Sequence, residues 1–579
     1  MRVLDSRRLT GPSLLLDVPG AILDVALDGI EANEARAAWM AALAPLLSGV
    51  GWDSSFVTTR AHAAGLSLAF SAPADALYAA TEVNEAAWDF ATRGIEAGGT
   101  VTLGREVLPG LRQAIERERK PWWNGLAEAA AAHGVTLLMD DKRVSVGLGK
   151  GSRAWPVEQT ARVLERLRWK RITDVPTALV TGTNGKTTTV RLLGAIAQAA
   201  GLTAGVTSTD GVTVGGEMVA TGDYSGPNGA RTVLRDRRVE IAMLEVARGG
   251  ILRRGLALPH VRAALVTNVA NDHLGEFGIF DLDSLAEVKM VVAKAIGPEG
   301  RLILNADDGL LLRRGARLHK PICWFTLDAR HPVLSAHLAR GGQACVLEDG
   351  WLVFRDGNQR REIARVDQVP IAFGGAARHN VANALGAIGV AFALGLPLEA
   401  IREGLRRFEP SHGANPGRSN VWQLGGVTAI VDFAHNPHGL EALVQMTATM
   451  PAKRRAIVIG QAGDRDDESI ARFAQVAWAM APRHVFIKEM EIYLRGREPG
   501  VVSALIEREL RAAGAGDAQL SRWPSELEAV RAALEWAREG DLLVLTIHAQ
   551  REQVVELLQR LAESGWSPNR PLPQPISID

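Results

Sequence analysis

Cysteine is almost absent from this sequence, which has only Cys323 and Cys345 among 579 residues. Two cysteines cannot form a disulfide framework, and their separation does not match the paired spacing of a metal site. We therefore expect two buried thiols and a reducing compartment. The charged residues at the N-terminus are not followed by an uninterrupted apolar stretch, so no signal peptide is apparent.

An excess of charge of either sign is also lacking. Lys plus Arg and Asp plus Glu both number 65, so no overall field attracts the protein to nucleic acid or to a membrane surface. No apolar run approaches the roughly 20 residues that a helix needs to span a bilayer. These absences predict a cytoplasmic protein that binds neither nucleic acid nor membrane, and its length predicts roughly three or four domains.

The most informative stretch is a glycine-rich turn at 180–189, with the sequence Val-Thr-Gly-Thr-Asn-Gly-Lys-Thr-Thr-Thr. Residues 178–180 are typical of the end of a buried strand, and apolar residues recur at helical spacing after the turn. Such a turn brings backbone N–H groups to phosphate oxygens, while Lys186 adds a positive charge and Thr187 a hydroxyl for Mg²⁺. Val180 stands where the general pattern has its first glycine, so the match is to a shortened variant. We predict an ATP site here.

The residues before this turn carry no comparable motif. The glycine-rich stretch 147–152 precedes Arg-Ala-Trp-Pro rather than a helix, which favours a plain loop. Around it, short apolar strands such as 22–28 combine with alanine-rich helical segments such as 31–47 and 84–98. We predict an α+β recognition domain at 1–155, followed by a basic, helical linker at 156–175.

Strands alternate with helices from the glycine-rich turn to about residue 410, which predicts a parallel sheet with right-handed crossovers. Ligand groups collect at the carboxyl ends of such strands. Glu245 and Asn305 end two predicted strands, and Asn268, Asp272 and His273 follow a third. A buried carboxylate needs a partner such as a metal ion, and a side-chain amide suits the edge of a purine.

The alternation restarts at about residue 411, with predicted strands at 427–433, 456–459, 484–488 and 542–546. This pattern indicates a second, smaller doubly wound unit. We therefore predict an α/β chain in which two further domains and a tail follow the linker. They are a central ATP-binding domain at 176–412, a C-terminal domain at 413–565 and a proline-rich tail at 566–579.

Taken in order along the chain, the motifs resemble those of the Mur ligases. They are Thr181–Thr188, Glu245, Asn268–His273, Asn305–Asp308, His379–Asn383, Asp432–Pro437 and Gly463–Asp466. Within the family, the likeness is strongest to the Mur-like half of cyanophycin synthetases, through 207–211, 222–236, 245–255, 416–418 and 494–497. Residues 1–150 are also similar to the N-terminal domain of those enzymes.

Cyanophycin synthetases carry a large ATP-grasp domain after their N-terminal domain. Residues 144–153 resemble the start of that domain, but the glycine-rich turn follows too closely to leave room for it. The sequence therefore offers one ATP site, and synthesis of a cyanophycin backbone is not expected.

The resemblance implies a P-loop central domain, a Rossmann-like C-terminal domain, and a ligase that makes an acyl phosphate from ATP and a carboxylate. The residues implied in nucleotide binding are Gly182, Thr183, Asn184, Gly185, Lys186, Thr187 and Thr188 at the phosphates, Asn305, His379 and Asn380 near the adenine, and Asp432 and His435 from the last domain. Thr187 and Glu245 would bind one Mg²⁺ and His273 a second. Lys289 follows His273 at a position where many relatives have a carbamylated lysine, and an unmodified lysine in a salt bridge is an equal alternative.

The resemblance also implies where two substrates bind. Arg231 and Arg248 would hold the carboxylates of the acceptor, because guanidinium groups match carboxylate geometry. Thr209 and Arg418 are the other implied substrate residues. The amine substrate, which is arginine in cyanophycin synthetases, would lie against the last domain.

Two acidic residues near the last domain leave alternatives open. Glu489 and Glu491 would either pair with a guanidinium group of the amine substrate or form a solvated acidic turn.

Three functions are compatible with the sequence. The first is an ATP-dependent ligase that joins an amino acid such as arginine to an aspartyl-type or small peptide carboxylate. The second is a folate-polyglutamate-like ligase, which the Ser225-Gly-Pro stretch disfavours. The third is a non-catalytic nucleotide-binding partner that recruits polymer or peptide, which the presence of Lys186, Glu245 and His273 disfavours. Relatives are often oligomers, so a homo-oligomer fits any of the three.

Overall fold

The computed structural model describes residues 1–98, 107–272 and 274–574. In these ranges, two small β-sheets precede an 11-stranded sheet and a six-stranded sheet. We refer to residues 1–175, 176–412 and 413–574 as the N-terminal, middle and C-terminal regions. The domain limits expected from the sequence stay predictions.

The N-terminal region is an α+β unit with an antiparallel sheet of order β1-β2-β4-β3 and a second, three-stranded sheet β5-β6-β7. Its elements are β1 (Arg2–Leu9), β2 (Gly20–Ala26), α1 (Ala32–Gly49), β3 (Val57–His62), β4 (Gly65–Ser71), α2 (Leu77–Glu96), α3 (Val107–Glu118), α4 (Trp123–Ala132), β5 (Leu137–Met139), β6 (Arg143–Val146), β7 (Arg153–Pro156) and α5 (Thr160–Leu164). Helices α1 and α2 bury Trp39 and Trp88 in the core of the first sheet.

The segment 156–175, predicted to be helical, contains little α-helix. Only α5 is α-helical there, between short 3₁₀ turns. The physical reason is packing: Val157, Leu164, Leu167 and Trp169 contact the small core beside β6 and β7, so this segment follows the surface of that sheet in short turns.

The middle region is built on seven parallel strands, in the order β9-β12-β8-β13-β14-β15-β16. Its elements are β8 (Thr177–Thr181), α6 (Lys186–Ala199), β9 (Ala204–Ser208), β10 (Gly211–Val214), β11 (Glu217–Thr221), α7 (Pro227–Leu234), β12 (Ile241–Glu245), α8 (Arg248–Arg254), β13 (Val261–Val266), α9 (Leu282–Met290), β14 (Ile296–Asn305), α10 (Gly309–Gly315), β15 (Ile322–Thr326), α11 (Pro332–Ala339), β16 (Gln343–Glu348), β17 (Trp351–Asp356), β18 (Gln359–Arg365), α12 (Arg378–Ala393) and α13 (Leu398–Arg407). Two apolar cores cover the two faces of this sheet.

Both edges of this sheet are antiparallel, which the prediction of a parallel sheet missed. Strands β10 and β11 extend one edge, and β17 and β18 extend the other. The turn between β10 and β11 contains Gly215 and Gly216, both with positive φ. Two consecutive residues of positive φ form the tight turn that hairpins prefer, so the signal was present in the sequence.

The C-terminal region has the predicted second doubly wound sheet, of order β19-β20-β24-β21-β22-β23. Its elements are β19 (Asn420–Leu424), β20 (Val427–Asp432), α14 (Pro437–Ala448), β21 (Arg455–Ile459), α15 (Asp467–Ala479), β22 (His484–Lys488), α16 (Val501–Ala512), β23 (Leu520–Trp523), α17 (Glu526–Trp536), β24 (Leu542–Thr546) and α18 (Arg551–Glu563). All strands except the edge strand β19 run parallel.

The residues after α18 fold back on the C-terminal region. Trp566 and Leu572 are buried in the core that contains α17 and α18. The predicted tail is therefore packed against the C-terminal region through Trp566 and Leu572. Residues 575–579 lie outside the described residues. Within the described ranges, we find no helix of the length and apolarity that a bilayer crossing requires.

Candidate active site

A cavity of about 930 Å³ lies where the middle and C-terminal regions meet. It forms at the carboxyl ends of β8, β12 and β14, as expected for a parallel sheet. It collects nearly all of the predicted site residues, namely Gly182, Thr183, Asn184, Gly185, Lys186, Thr187, Thr188, Thr209, Glu245, Arg248, Lys289, Asn305, His379, Asn380, Arg418, Asp432 and His435. Of the other two, Arg231 lies elsewhere and His273 lies outside the described residues.

The turn between β8 and α6 depends on two glycines. Gly182 has φ +146°, and a Cβ atom there would lie 1.8 Å from Thr267 Oγ1. Gly185 has φ +88°, and a Cβ atom there would lie 2.2 Å from Asn383 Oδ1. No side chain fits either position, because both the backbone conformation and the space require glycine.

Neighbouring strand ends fix the backbone of this turn. The N–H of Asn184 donates to Asn268 Oδ1 at 2.9 Å, and Thr267 Oγ1 donates to the carbonyl of Asn184 at 2.6 Å. Thr183 Oγ1 donates to the carbonyl of Ala270 at 3.1 Å. The turn is thus held by hydrogen bonds to the residues that follow β13.

Lys186 begins helix α6 and folds over the turn. Its Nζ donates to the carbonyls of Gly182 at 3.1 Å and Thr183 at 2.9 Å. The ammonium group and the free N–H groups of the helix N-terminus therefore lie on the same side of the turn, which is an arrangement suited to phosphate.

Glu245 ends β12 as a buried carboxylate that is only partly satisfied. Its Oε2 accepts from Thr187 Oγ1 at 2.8 Å, whereas Oε1 is buried and has no hydrogen-bond partner among the described residues. Burial raises the pKa of this carboxyl, and the nearby Lys186 opposes that shift. Thr209 Oγ1 lies 3.4 Å from Thr187 Oγ1. A carboxylate and hydroxyls around an unsatisfied oxygen form the donor set that Mg²⁺ prefers.

The acidic residues do not form a metal centre by themselves. Across the described ranges there is no group of three or more His, Cys, Asp or Glu side chains placed to hold a metal ion. The donor set at Glu245 and Thr187 therefore fits a cation that keeps water or phosphate oxygens as further ligands.

Lys289 lies on α9 with its side chain buried. It forms no hydrogen bond or ion pair with any described residue. Burial, followed by repulsion from Lys186, lowers the pKa of Lys289 to about 7. The salt bridge that was one of the two alternatives for this lysine is thus not present among the described residues, and a large fraction of the amine is neutral at neutral pH.

Two of the three residues predicted near the adenine, Asn305 and Asn380, have hydrogen-bond partners within the protein. Asn305 Nδ2 donates to the carbonyl of Thr267 at 3.0 Å, and its Oδ1 accepts from the N–H of Asp307 at 3.0 Å. Asn380 Nδ2 donates to the carbonyl of Ile371 at 3.0 Å. His379 Nδ1 is buried and has no hydrogen-bond partner in the part of the chain that the structure describes, and burial lowers the pKa of this imidazole. Both asparagines therefore shape the wall of the cavity.

The C-terminal region contributes the opposite wall. Asp432 Oδ2 accepts from the N–H of Ser419 at 2.7 Å, and the Arg418 guanidinium lies 4.5 Å from the centre of the Phe433 ring. His435 Nε2 lies 3.7 Å from Asp272 Oδ2 of the middle region. The contact of His435 with Asp272 thus joins the two regions at this cavity.

The two arginines predicted to bind one acceptor line two adjoining cavities, which share lining residues such as Ser225 and Gly249. Arg248 lines the cavity and donates to Glu276 Oε2 at 3.1 Å. Arg231 instead lines a second cavity of about 990 Å³ between the N-terminal and middle regions, where it donates to Thr10 Oγ1 at 3.1 Å. Spacing along the chain could not reveal this, because α7 carries Arg231 away from the strand ends.

Three residues at or beside the cavity were not among the predicted site residues. Arg465 forms an ion pair of 3.0 Å with Asp272, across the two regions, and Asn436 and His438 contact the turn after β8. The Asp-Phe-Ala-His-Asn-Pro motif contains Asn436 and was a signal for it, and His438 directly follows that motif. The partner of Arg465 is not apparent from sequence. Glu489 and Glu491 do not line the cavity.

Comparisons with known proteins agree with this geometry. Residues 180–391 match the family model of the Mur ligase middle domain, and residues 417–546 match that of the Mur ligase glutamate ligase domain. Cyanophycin synthetase of Trichormus variabilis is 39% identical over 371 residues, which are 64% of this chain and 41% of that relative. The chain thus spans less than half the length of that protein.

A shorter relative is matched over more of its length. UDP-N-acetylmuramoyl-L-alanyl-D-glutamate–2,6-diaminopimelate ligase of Chlorobaculum tepidum is 30% identical over 386 residues, covering 63% of this chain and 70% of that protein. Among solved structures, E. coli FolC in complex with DHPP and ADP aligns with a TM-score of 0.49 at 21% identity. That alignment covers 75% of this chain and 98% of FolC.

Proposed function

This chain belongs to the Mur ligase family, and we propose that it joins a carboxylate to an amine at the expense of ATP. The observation that carries the proposal is one cavity that contains the glycine-rich turn, the Glu245–Thr187 pair and the buried Lys289. A carboxylate is a poor electrophile, so the γ-phosphoryl group is transferred to it first. The amine then attacks the acyl phosphate, the new C–N bond forms and phosphate leaves.

ATP binds by its phosphates at the turn after β8. The Lys186 ammonium leaves the carbonyls of Gly182 and Thr183 for the β- and γ-phosphates, and the N–H groups at the start of α6 hold the remaining oxygens. Such a site accelerates phosphoryl transfer mainly by positioning and by neutralising charge.

Thr187 and Glu245 are the residues that would hold Mg²⁺, and His273 is proposed for a second ion. The ion supplies neutralisation of phosphate charge. The unsatisfied Oε1 of Glu245 and the hydroxyls of Thr187 and Thr209 support this assignment. Lys289 supports it as well, because an amine with a pKa of about 7 reacts with CO₂ as its neutral form and would become an anionic carbamate.

The C-terminal region protects the reactive intermediate from water. The Arg465–Asp272 ion pair and the contact of His435 with Asp272 join the two regions beside the cavity. Closure matters because an acyl phosphate that is open to solvent is hydrolysed.

The likeness to cyanophycin synthetases supports arginine as the amine and an aspartyl-type or small peptide carboxylate as the acceptor. Arg248 is the better candidate to hold the acceptor, since it lines the cavity and its buried Nε has no partner within residues 1–98, 107–272 and 274–574. Asp432 and Asp464 are the acidic residues of the C-terminal wall that face the expected position of the amine.

An ADP-release assay tests the proposal over a panel of aspartyl acceptors combined with single amino acids. We expect turnover that requires ATP, Mg²⁺, one acceptor and one amine together, and a product with the mass of the two substrates less one water. If ATP binds but no acceptor–amine pair stimulates ADP release, the ligase proposal is wrong.

A further inference from the structure

The turn after β8 and the C-terminal region are joined by two side-chain amides. Asn184 Nδ2 donates to Asn436 Oδ1 at 3.1 Å, and Asn436 Nδ2 donates to Asn184 Oδ1 at 3.1 Å. The second hydrogen of Asn184 Nδ2 goes to His438 Nδ1 at 2.9 Å. All hydrogen-bonding groups of the Asn184 amide therefore face the C-terminal region.

The orientation of the Asn436 amide follows from its position in the fold. Asn436 is the N-cap of α14, and its Oδ1 accepts from the N–H of Gly439 at 2.8 Å. Because the oxygen must face that N–H group, the amide nitrogen must face Asn184. Asn436 is itself buried, with 3% of its surface exposed.

The backbone of Asn184 is already fixed by the middle region through Thr267 and Asn268. Its side chain is the part that the C-terminal region holds. A displacement of Asn436 would therefore act on a residue two positions before Lys186, within the turn that receives the phosphates.

A buried ion pair supports the segment that carries Asn436. Lys488 and Glu526 pair with both side chains fully buried. Glu526 accepts from the N–H groups of His548 at 2.8 Å and Gln550 at 2.7 Å. Such a pair is costly to bury and needs all of its hydrogen bonds. Here the carboxylate obtains them from the backbone that follows β24.

This pair sets the hydrogen bonds of His548. The Lys488 ammonium donates to His548 Nδ1 at 3.0 Å, because Lys has no acceptor. Nε2 then carries the proton and donates to the carbonyl of Ala434 at 3.1 Å. His548 thus holds the 433–438 loop through the carbonyl of Ala434. Asn436 of the same loop contacts Asn184.

We propose that Asn436 is a positioning residue that holds the phosphate-binding turn in register with the C-terminal region, and that Lys488, Glu526 and His548 hold Asn436 in place. This inference rests on the proposed ligase function. Its consequence is that loss of the amide pair lowers kcat, because the phosphates and the amine are held by different regions, while nucleotide binding to the turn persists.

Asn436→Asp separates this role from helix capping. The aspartate keeps an oxygen for the N–H of Gly439 but loses the N–H that Asn184 accepts, whereas Asn436→Ala loses both. We expect Asn436→Asp to lower kcat about 10-fold or more and to leave the Kd for Mg²⁺·ADP within about twofold. Asn436→Ala should show the same loss of kcat and in addition a lower Tm. An unchanged kcat in Asn436→Asp would overturn the proposal.

The pairing itself is tested by combining Asn184→Ala with Asn436→Asp. If the two amides act as one unit, the double variant loses no more kcat than the more damaged single variant. Losses that multiply would mean that the two residues act independently, and the proposal would be wrong.

A readout without turnover separates this inference from the ligase proposal. Hydrogen–deuterium exchange of the backbone amides at 433–440 should be at least about fivefold faster in Asn436→Asp than in the native protein, although the helix cap is retained. Equal exchange rates would overturn the inference. If the exchange rates differ in this way but the native protein releases no ADP with any substrate pair, the ligase function alone is refuted.

The supporting role of His548 is tested with two amides of different length. His548→Gln places an N–H near the position of Nε2 and can still donate to Ala434, whereas the shorter side chain of His548→Asn cannot reach it. We expect His548→Gln to retain at least about five times the kcat of His548→Asn, with the same Kd for Mg²⁺·ADP. Equal kcat values would remove His548 from the proposal.

Discussion

Two glycine-rich turns with a lysine occur in this chain, one at 182–186 and one at 147–151, and they have different surroundings. The first precedes the 14-residue helix α6 and lines a cavity. The second precedes a short strand, β7, and its glycines pack against other backbone: a Cβ atom at Gly149 would lie 2.4 Å from the carbonyl oxygen of Val239. Lys150 is exposed and pairs with Glu240 at 3.2 Å.

The comparison shows that glycine serves two purposes here. At 147–151 it allows two segments of backbone to pack closely. At 182–186 glycine also allows close packing, against Thr267 and Asn383, but this turn lines a cavity and the following helix adds its partial positive charge there. Both turns combine glycines with a lysine, so the element that follows is what distinguishes a phosphate site from a packing contact.

Replacement of the lysine in the first turn should have the largest effect. Lys186→Ala removes the charge that faces the phosphates, and we expect kcat/KM for ATP to fall by about 100- to 1,000-fold. The ADP-release assay with the best substrate pair measures this. Full activity in Lys186→Ala would mean that the ATP site lies elsewhere.

An alanine in place of one glycine in each turn sharpens the comparison. Gly182→Ala brings a Cβ atom to 1.8 Å from Thr267 Oγ1, and strain of about 1–3 kcal/mol should weaken binding of ATP about tenfold or more. Gly151→Ala also clashes, at 2.2 Å from Thr173 Oγ1, so it should lower the Tm and leave the Kd for ATP unchanged. Thermal unfolding and nucleotide titration distinguish the two outcomes. Weaker ATP binding in Gly151→Ala would contradict the prediction that its turn takes no part in nucleotide binding.

A smaller effect is expected from the titration of Lys289, which should make the free energy of unfolding depend on pH. Its pKa is about 7 in the folded protein, against 10.5 ordinarily. Above pH 7 the unfolded chain therefore binds a proton that the folded protein has lost, and the free energy of unfolding rises with pH. Between pH 7 and 9 this residue should add about 2 kcal/mol. Denaturant unfolding of the native protein and Lys289→Met at both pH values measures the difference.

If Lys289 becomes a carbamate, the activity should also depend on the protonation of this lysine. The kcat of the native protein should rise with pH through about 7 and respond to added bicarbonate, and Lys289→Met should lose both responses. A bicarbonate response that persists in Lys289→Met would exclude the carbamate.

The smallest effect is expected for the lysine of the second turn. Lys150 forms an exposed ion pair, and such pairs contribute at most about 1 kcal/mol. Lys150→Ala should therefore change the free energy of unfolding by less than about 1 kcal/mol and leave ATP-dependent turnover intact. A loss of turnover comparable to that of Lys186→Ala would invalidate the distinction between the turns.

Much of the fold could be predicted because the signals are local. Strands β22 and β24 begin and end at the predicted residues, since each is a short apolar run between turns. The hairpins at the edges of the large sheet were missed, as was the breaking of the linker into short turns, because apolar periodicity does not report which neighbour a segment packs against.

The residues of the candidate site likewise fall into those that the sequence could predict and those that it could not. Residues that follow strands of the same parallel sheet, such as Glu245 and Asn305, were expected in one place because their strand ends meet at one edge. Arg231 was placed with them by its position in a motif, yet α7 directs it to another cavity. The roles of Asn305 and Asn380 in holding backbone were likewise not apparent, because side-chain partners distant in sequence leave no local pattern.

The glycine-rich turn, the helix that follows it and the polar strand ends could be predicted from the chain, because each depends on residues that are neighbours in sequence. The contacts of Asn184 with Asn436 and of Arg465 with Asp272, and the burial of Lys289 with its lowered pKa, arise only in the folded protein. Those features depend on how the C-terminal region packs against the middle region and on the loss of water when α9 is covered. These features are set by packing between residues that are far apart in the sequence, and composition does not reveal them.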